Sequence, residues 1–244
     1  LQHIDYINRE DEEKIIDQED LNNLEQNVSR LRLEPGEDIL HIIPQEYKID
    51  QQSNILEPIG MCGSKLEANF HVVSGQTSAI RNIQRCVVDA GLSISSINLE
   101  PLASSSAVLS QEEKDAGVVL VDIGGGTTDI AIFKDGRIRH TAVIPFGGNI
   151  ITSDIKEGCS IIEKQAEQLK IKFGSALPTE SNENEIVSIP GLRGRDPKEI
   201  SVKNLSKIIK ARLEEILKDI NREIRIYSDQ SEKNKLIGVF LHHV

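Results

Sequence analysis

Apolar residues recur at Leu21, Leu24, Val28 and Leu31, a spacing of three and four that predicts an amphipathic helix over roughly 18–32, stopped by Pro35-Gly36. Ile39 to Ile43 is an apolar run closed by Pro44 and reads as a strand. From Leu66 to Val73 the pattern changes to strict alternation. Leu66, Ala68, Phe70 and Val72 oppose Glu67, Asn69 and His71, as in a strand with one buried face. These elements predict a small α/β unit of about 75 residues. Ile80, Ile83, Val87 and Ala90 then mark a helix that ends at Gly91. Ile94, Ile97 and Leu99 suggest a strand, and the small residues of Ala103–Leu109 a short helix.

The next stretch is the most regular. Val118-Val119-Leu120-Val121 is continuously apolar, as a strand covered on both faces must be. A glycine-rich turn follows, then Ile130-Ala131-Ile132-Phe133. Asp135-Gly136 is a hairpin signal, leading into a strand from Arg137 to Ile144. The prediction is a three-stranded meander with its two turns at opposite ends. After Pro145 the pattern becomes helical, from near Asn149 and again over about 161–173 up to Gly174. A strand is expected at 186–189, and a long helix over about 202–227 with Leu205, Ile209, Leu213, Ile216, Ile220 and Ile224 as its stripe. Leu236 to Leu241 reads as a last strand after a polar connection.

Candidate chemistry sits at the first turn of the meander, Asp122-Ile123-Gly124-Gly125-Gly126-Thr127-Thr128-Asp129. Three consecutive glycines let a backbone bend tightly and approach a ligand. Their N–H groups can converge on phosphate oxygens, and the Thr127 and Thr128 hydroxyls add possible donors. Asp122 and Asp129 bracket the turn. Two carboxylates beside phosphates repel them unless a hard cation lies between, and Mg²⁺ suits that place because it keeps waters while taking carboxylate and phosphate oxygens. Rossmann and Walker loops put their glycines before a helix, whereas here a strand follows. The plainer alternative is a glycine-rich hairpin with two solvated aspartates.

Charge and composition narrow the rest. The net charge of −11 over 244 residues disfavours a nucleic-acid surface or direct adhesion to anionic lipid. Cys62, Cys86 and Cys159 are far apart, without zinc or disulfide spacing. No apolar run approaches the roughly 18 residues of a membrane span, and neither histidine spacing nor a Ser-His-Asp pattern points to a metal or a triad.

The Asp122–Asp129 segment resembles the second phosphate loop of the actin/Hsp70 superfamily. Further stretches resemble the FtsA family of bacterial cell-division proteins in particular, namely His41-Ile42-Ile43-Pro44-Gln45-Glu46-Tyr47-Lys48-Ile49-Asp50, Glu100-Pro101-Leu102-Ala103-Ser104-Ser105, Val143-Ile144-Pro145-Phe146-Gly147-Gly148-Asn149 and Thr152-Ser153-Asp154-Ile155. They occur in the family's order along nearly the whole chain. The resemblance implies an α/β protein with partial actin-like (ribonuclease H-like) lobes that close around ATP and Mg²⁺, and an inserted 1C domain of SHS2 type.

Carried over residue by residue, the resemblance implies metal-holding roles for Asp122 and Asp129, and a phosphate cradle of Gly124, Gly125, Gly126, Thr127 and Thr128. Gly147 and Gly148 would lie close to the nucleotide or begin the next helix. Glu167 and Lys170, one turn apart on a helix, would lie near the adenosine or form a surface ion pair. Glu100 would orient an attacking water, or simply be exposed. The implied divisions are 1–75 (1C-like), 76–115 (remnant of subdomain 1A), 116–146 (2A with the phosphate loop), 147–205 (2B) and 206–244 (long helix and return to 2A).

The implied function is an ATP-dependent polymer that ties the FtsZ ring to the inner face of the cytoplasmic membrane at the division site. In the family, 1C serves self-association and recruits later division proteins, and 2B faces FtsZ. The family's first phosphate loop, a late Gly-Gly pair and a C-terminal membrane helix are missing from the sequence. The chain is therefore expected to be a fragment that binds ATP weakly or not at all, with at most weak ATPase activity. The alternatives are a PilM-like pilus-assembly adaptor and an ATP-dependent phosphotransferase of the same superfamily.

Overall fold

The computed structural model describes residues 1–9, 13, 15–178, 185–191, 196–229 and 238–243, the side chains of 229 and 238–243 excepted. The chain divides into two compact units. One is Leu1–Gly117 with Ile132–His140, and the other is Val118–Ala131 with Thr141–Val244.

In the first unit, strands β1 (Gln2–Asn8), β2 (Glu37–Ile49), β3 (Gln52–Ile55) and β4 (Lys65–Gln76) form a sheet in the order β1-β4-β2-β3. Helix α1 (Gln18–Ser29) packs on it. The alternation of β4 buries Leu66, Ala68, Phe70 and Val72 against Leu21, Leu24 and Val28 of α1. Asp17 caps the helix by accepting from the amides of Glu19 and Asp20, and Asp20 returns a bond to the Asp17 amide. The same Asp20 pairs at 3.2 Å with Arg9, whose side chain is only 5% exposed. Arg9 also donates to the carbonyls of Gly63 and Ile15, so one guanidinium ties β1, α1 and the approach to β4 together.

Strand β2 runs through Pro44 instead of ending there. Pro44 sits opposite Phe70, and the register slips between Pro44 and Glu46. The missing N–H is tolerated because β3 is short and pairs with β2 only from Tyr47 onward. The carbonyls exposed at this bulge accept from elsewhere. Arg137 donates to Pro44 O (3.3 Å), Gln45 O (2.8 Å) and Leu56 O (2.9 Å).

Helix α2 (Thr77–Asp89) ends as expected at Gly91, where φ is +79°. Its predicted stripe buries no residue, and Ile83 is 58% exposed. The strand anticipated at Ile94–Leu99 is absent. Residues 92–99 are irregular, and the Leu99 amide donates to His41 Nε2 rather than to a ladder. Helices α3 (Glu100–Val108) and α4 (Gln111–Ala116) follow. Helix α4 has no counterpart among the elements expected from the sequence, although Ser110 and Glu113 form a full capping box. Strands β1 and β3 have none either.

The meander is present. Strands β5 (Val118–Ile123), β6 (Thr128–Lys134), β7 (Arg137–Ile144) and β10 (Gly238–His243) lie in the order β10-β5-β6-β7, with β10 parallel to β5. Asp135 and Gly136 both have positive φ, +52° and +71°, as a two-residue hairpin turn of primed type requires. In the second unit, helices α5 (Gly148–Cys159), α6 (Glu163–Phe173) and α7 (Val202–Asp229) enclose Ile155, Ala166, Leu169, Leu205 and Ile209. The hairpin β8 (Ile186–Ile189) and β9 (Lys198–Ser201) adds Ile189 and Ile200 to this core. Strand β9 had not been foreseen. The polar connection expected after Ser228 lies mostly outside the described residues.

Candidate functional site

Strand β5 is buried through Asp122, and β6 begins at fully buried Thr128, so the four residues between them stand at the sheet's end as a short projecting turn. Gly124 closes it by donating its N–H to Thr127 O at 2.9 Å. The turn's carbonyls face helix α5. Gly124 O accepts from the Gly148 amide (2.9 Å), and Gly125 O from the Asn149 amide (2.8 Å). The first donors of α5, which a helix ordinarily offers to solvent or an anion, are therefore spent on holding the turn. The amides of Gly125, Gly126 and Thr127 make no backbone hydrogen bond among the described residues, and all three residues are exposed.

Close approach explains the glycines. A methyl group on Gly147 would overlap the Gly124 carbonyl oxygen and fall 2.8 Å from Thr127 O. On Gly126 it would meet nothing within 4 Å. Gly147 and Gly148 thus pass against the turn and lie at the start of α5. Thr128, expected as a donor to phosphate, gives its hydroxyl to Phe146 O at 2.9 Å and anchors the turn to the segment before α5. Thr127, which is exposed, donates its hydroxyl to Asp129 Oδ2 at 3.1 Å.

Asp122 is buried at the end of β5, and Asp129 is half-buried at the start of β6. Burial pushes the Asp129 carboxyl above the ordinary aspartate range. The Thr127 hydroxyl pulls it back and the nearby Asp122 charge raises it again. A half-buried carboxyl whose ionisation is further opposed by a neighbouring carboxylate is the situation a cation relieves. No cluster of three or more His, Cys, Asp or Glu suited to a metal occurs among the described residues. Asp122 and Asp129 could together hold an ion whose remaining ligands are water and phosphate oxygens, as Mg²⁺ takes.

Glu167 and Lys170 lie on α6 as the i, i+3 pair foreseen, 2.8 Å apart. They meet Thr152 of α5, a residue not singled out from sequence as a site residue. The Thr152 hydroxyl donates to Glu167, while Lys170 Nζ reaches Thr152 Oγ1 (2.8 Å) and Gly148 O (3.1 Å). Lys170 and Thr152 together hold the Glu167 carboxyl below its ordinary range. The pair is thus more than a surface ion pair, because it fastens α6 to the first turn of α5 and so to the glycine turn. On the opposite flank of α5, Asp154 receives two bonds from Arg212 of α7 (2.5 and 3.0 Å). Glu100 is exposed at the start of α3 and belongs to the other unit.

Comparison with known proteins gives this geometry a family. Residues 119–239 match the family described as cell division protein FtsA, and residues 2–74 match the SHS2 domain inserted in FtsA. The chain is 40% identical over 218 residues to the cell division protein FtsA of Neisseria meningitidis, covering 88% of this chain and 53% of that protein. Over 187 residues it is 43% identical to the Pseudomonas aeruginosa protein of the same name, covering 77% and 45%. Over 212 residues it is 37% identical to the Escherichia coli K12 protein, covering 87% and 50%. The chain thus spans about half the length of the curated relatives it matches.

Among solved structures, a PilM-PilN type IV pilus biogenesis complex superposes with a TM-score of 0.62 at 14% identity, over 99% of this chain and 59% of that one. MreB 5 of Spiroplasma citri, solved bound to AMPPNP, gives 0.50 at 23%, over 67% and 52%. These two likenesses establish an actin-like fold. They do not bear on partner or pathway, which leaves the pilus alternative without the sequence support that the division proteins have. The two family matches and the 37–43% identities together place the chain in the FtsA family of cell-division proteins.

Proposed function

We propose that this chain is the part of an actin-like division protein that holds the phosphates of ATP, and that the whole protein polymerises and links the FtsZ ring to the cytoplasmic membrane. The observation that carries the reading is the division of labour in residues 124–127. The carbonyls of Gly124 and Gly125 accept from the amides of Gly148 and Asn149, and the amides of Gly125, Gly126 and Thr127 are left to solvent. A turn braced in this way presents fixed N–H dipoles to an anion without having to reorganise.

In this reading, phosphate oxygens lie against those three amides. Asp122 and Asp129 hold a hydrated Mg²⁺ beside them. Glu167 and Lys170 lie toward the adenosine, and Glu100 orients water for at most a slow hydrolysis. Nucleotide acts mainly as an assembly ligand, which requires that the polymer-competent state bind it more tightly than the free state. The SHS2 domain serves self-association and recruitment of later division proteins. The 147–205 region faces FtsZ, and attachment is to the inner face of the cytoplasmic membrane at the division site. The domain limits are 1–75, 76–115, 116–146, 147–205 and 206–244.

A pull-down of FtsZ by the full-length protein, with and without the 147–205 region, tests the division role. Retention that disappears with that region supports it. Failure of the intact protein to retain FtsZ removes its main support. Titration calorimetry of the full-length protein with Mg-ATP tests the ligand independently.

A further inference from the structure

Asn149 has no place in the account so far beyond its backbone N–H, which donates to Gly125 O. Its side chain is the more informative part. A methyl group built on Gly125 would stand 3.3 Å from Asn149 Oδ1, 3.4 Å from Nδ2 and 3.6 Å from Cγ. The carboxamide therefore lies directly against the Cα of the middle residue of the turn. Asn149 is exposed, and among the described residues its carboxamide has no hydrogen-bond partner.

Every other polar side chain at the base of the turn is engaged. Thr128 is bonded to Phe146, Thr127 to Asp129, Thr152 to Glu167, and Lys170 to Gly148 and Thr152. A neutral donor that remains unspent one contact away from three unspent amides belongs to the same ligand-facing set. Its neutrality also matters. Asp122 and Asp129 already bring two carboxylates to the site, and a third would add to their mutual repulsion.

We propose that Asn149 is a further binding residue of this site, donating from Nδ2 to a phosphate oxygen of the nucleotide held by the turn. This inference rests on the phosphate-site reading above and adds a residue and a chemical preference to it. Position 149 should favour a neutral donor over an acid.

Replacement by alanine is a clean probe. It keeps the backbone N–H that braces Gly125 and suits the first turn of a helix, so only the carboxamide is lost. The test is displacement of a fluorescent ATP analogue from the full-length protein by Mg-ATP, Mg-ADP and adenosine, for the unsubstituted protein, Asn149→Ala and Asn149→Asp. A hydrogen bond to a charged acceptor predicts that Asn149→Ala weakens Mg-ATP and Mg-ADP by about tenfold or more. Adenosine should bind unchanged, and the melting temperature should be unaltered. Asn149→Asp should weaken the phosphorylated ligands further than alanine does.

Equal Mg-ATP affinity in Asn149→Ala and the unsubstituted protein overturns the inference while leaving the phosphate site standing. So does an equal loss for adenosine, which would mark Asn149 as only structural, and so does full affinity in Asn149→Asp. Failure of the unsubstituted protein to bind Mg-ATP overturns both.

Discussion

The SHS2 domain and the glycine turn use their polar groups in opposite ways. In the SHS2 domain many donors and acceptors are consumed by one another, although Asp5 Oδ2, Gln45 Oε1 and Asn69 Oδ1 are buried without a partner among the described residues. Arg9 serves Asp20, Gly63 and Ile15. The Asp50 carboxylate takes the Ser64 amide and hydroxyl and the Lys65 amide. From β7, outside the SHS2 match, Arg137 serves the carbonyls of Pro44 and Gln45 at the bulge. In the turn, half of the backbone is spent with equal thoroughness, Gly124 O and Gly125 O on α5, and the other half is left unspent at the surface. A satisfied polar network gives a domain its specificity. A braced strip of unsatisfied amides costs nothing only while water or a ligand can reach it.

Breaking the consumed side should have the largest effect on stability. Arg9→Ala removes the partner of a mostly buried carboxylate and strands two carbonyls. It should lower the unfolding free energy by about 3 kcal/mol or more, read from urea denaturation, with lysine restoring only part of the loss. Gly147→Ala should come next, at about 1–3 kcal/mol, because its new methyl overlaps the Gly124 carbonyl and backbone must yield. Unlike Arg9→Ala, it should also abolish Mg-ATP binding in calorimetry. Arg137→Ala should cost about 1–2 kcal/mol and raise hydrogen exchange around residues 44–56, where its acceptors lie. Unchanged exchange there would separate the hairpin from the bulge.

Asp129→Asn should act in the opposite sense on the ligand-free protein. The carboxyl of Asp129 is raised in the folded state, chiefly by burial. Folding therefore favours its protonated form. That contribution is fully present below the ordinary aspartate value and is lost as the pH rises through the folded value, so at neutral pH the ionised group is a small burden. The asparagine variant should be equally or slightly more stable at pH 7, with the advantage vanishing in acid. It should bind nucleotide with less dependence on Mg²⁺. A variant less stable at pH 7 than at pH 4, relative to the parent, would contradict the sign.

What was legible in the sequence follows the same division. The apolar runs of β5 and β6, the Asp135-Gly136 turn and the alternation of β4 are local signals, and each became the element expected. The glycine turn with its flanking aspartates was legible because backbone permissiveness and charge are written in residue type. The strand through Pro44 was not, since the tolerance for proline depends on how far β3 extends beside it. Edge strand β1 alternates exposed and half-buried residues too weakly to stand out. The supposed strand at Ile94–Leu99 had apolar residues but no neighbouring ladder. Thr152 and Asn149 stood in segments already noted for their resemblance, yet their roles depend on Glu167, Lys170 and Gly125, which only the folded chain brings to them.

Gly126→Ala tests most directly whether phosphate sits on the amide face of residues 124–127. The added methyl meets no protein atom within 4 Å and φ there is not positive, so the fold should be untouched. The account predicts an unaltered melting temperature together with loss of Mg-ATP binding by the full-length protein, because the methyl enters the space assigned to the ligand. A stable Gly126→Ala protein that binds Mg-ATP as tightly as the parent would contradict it.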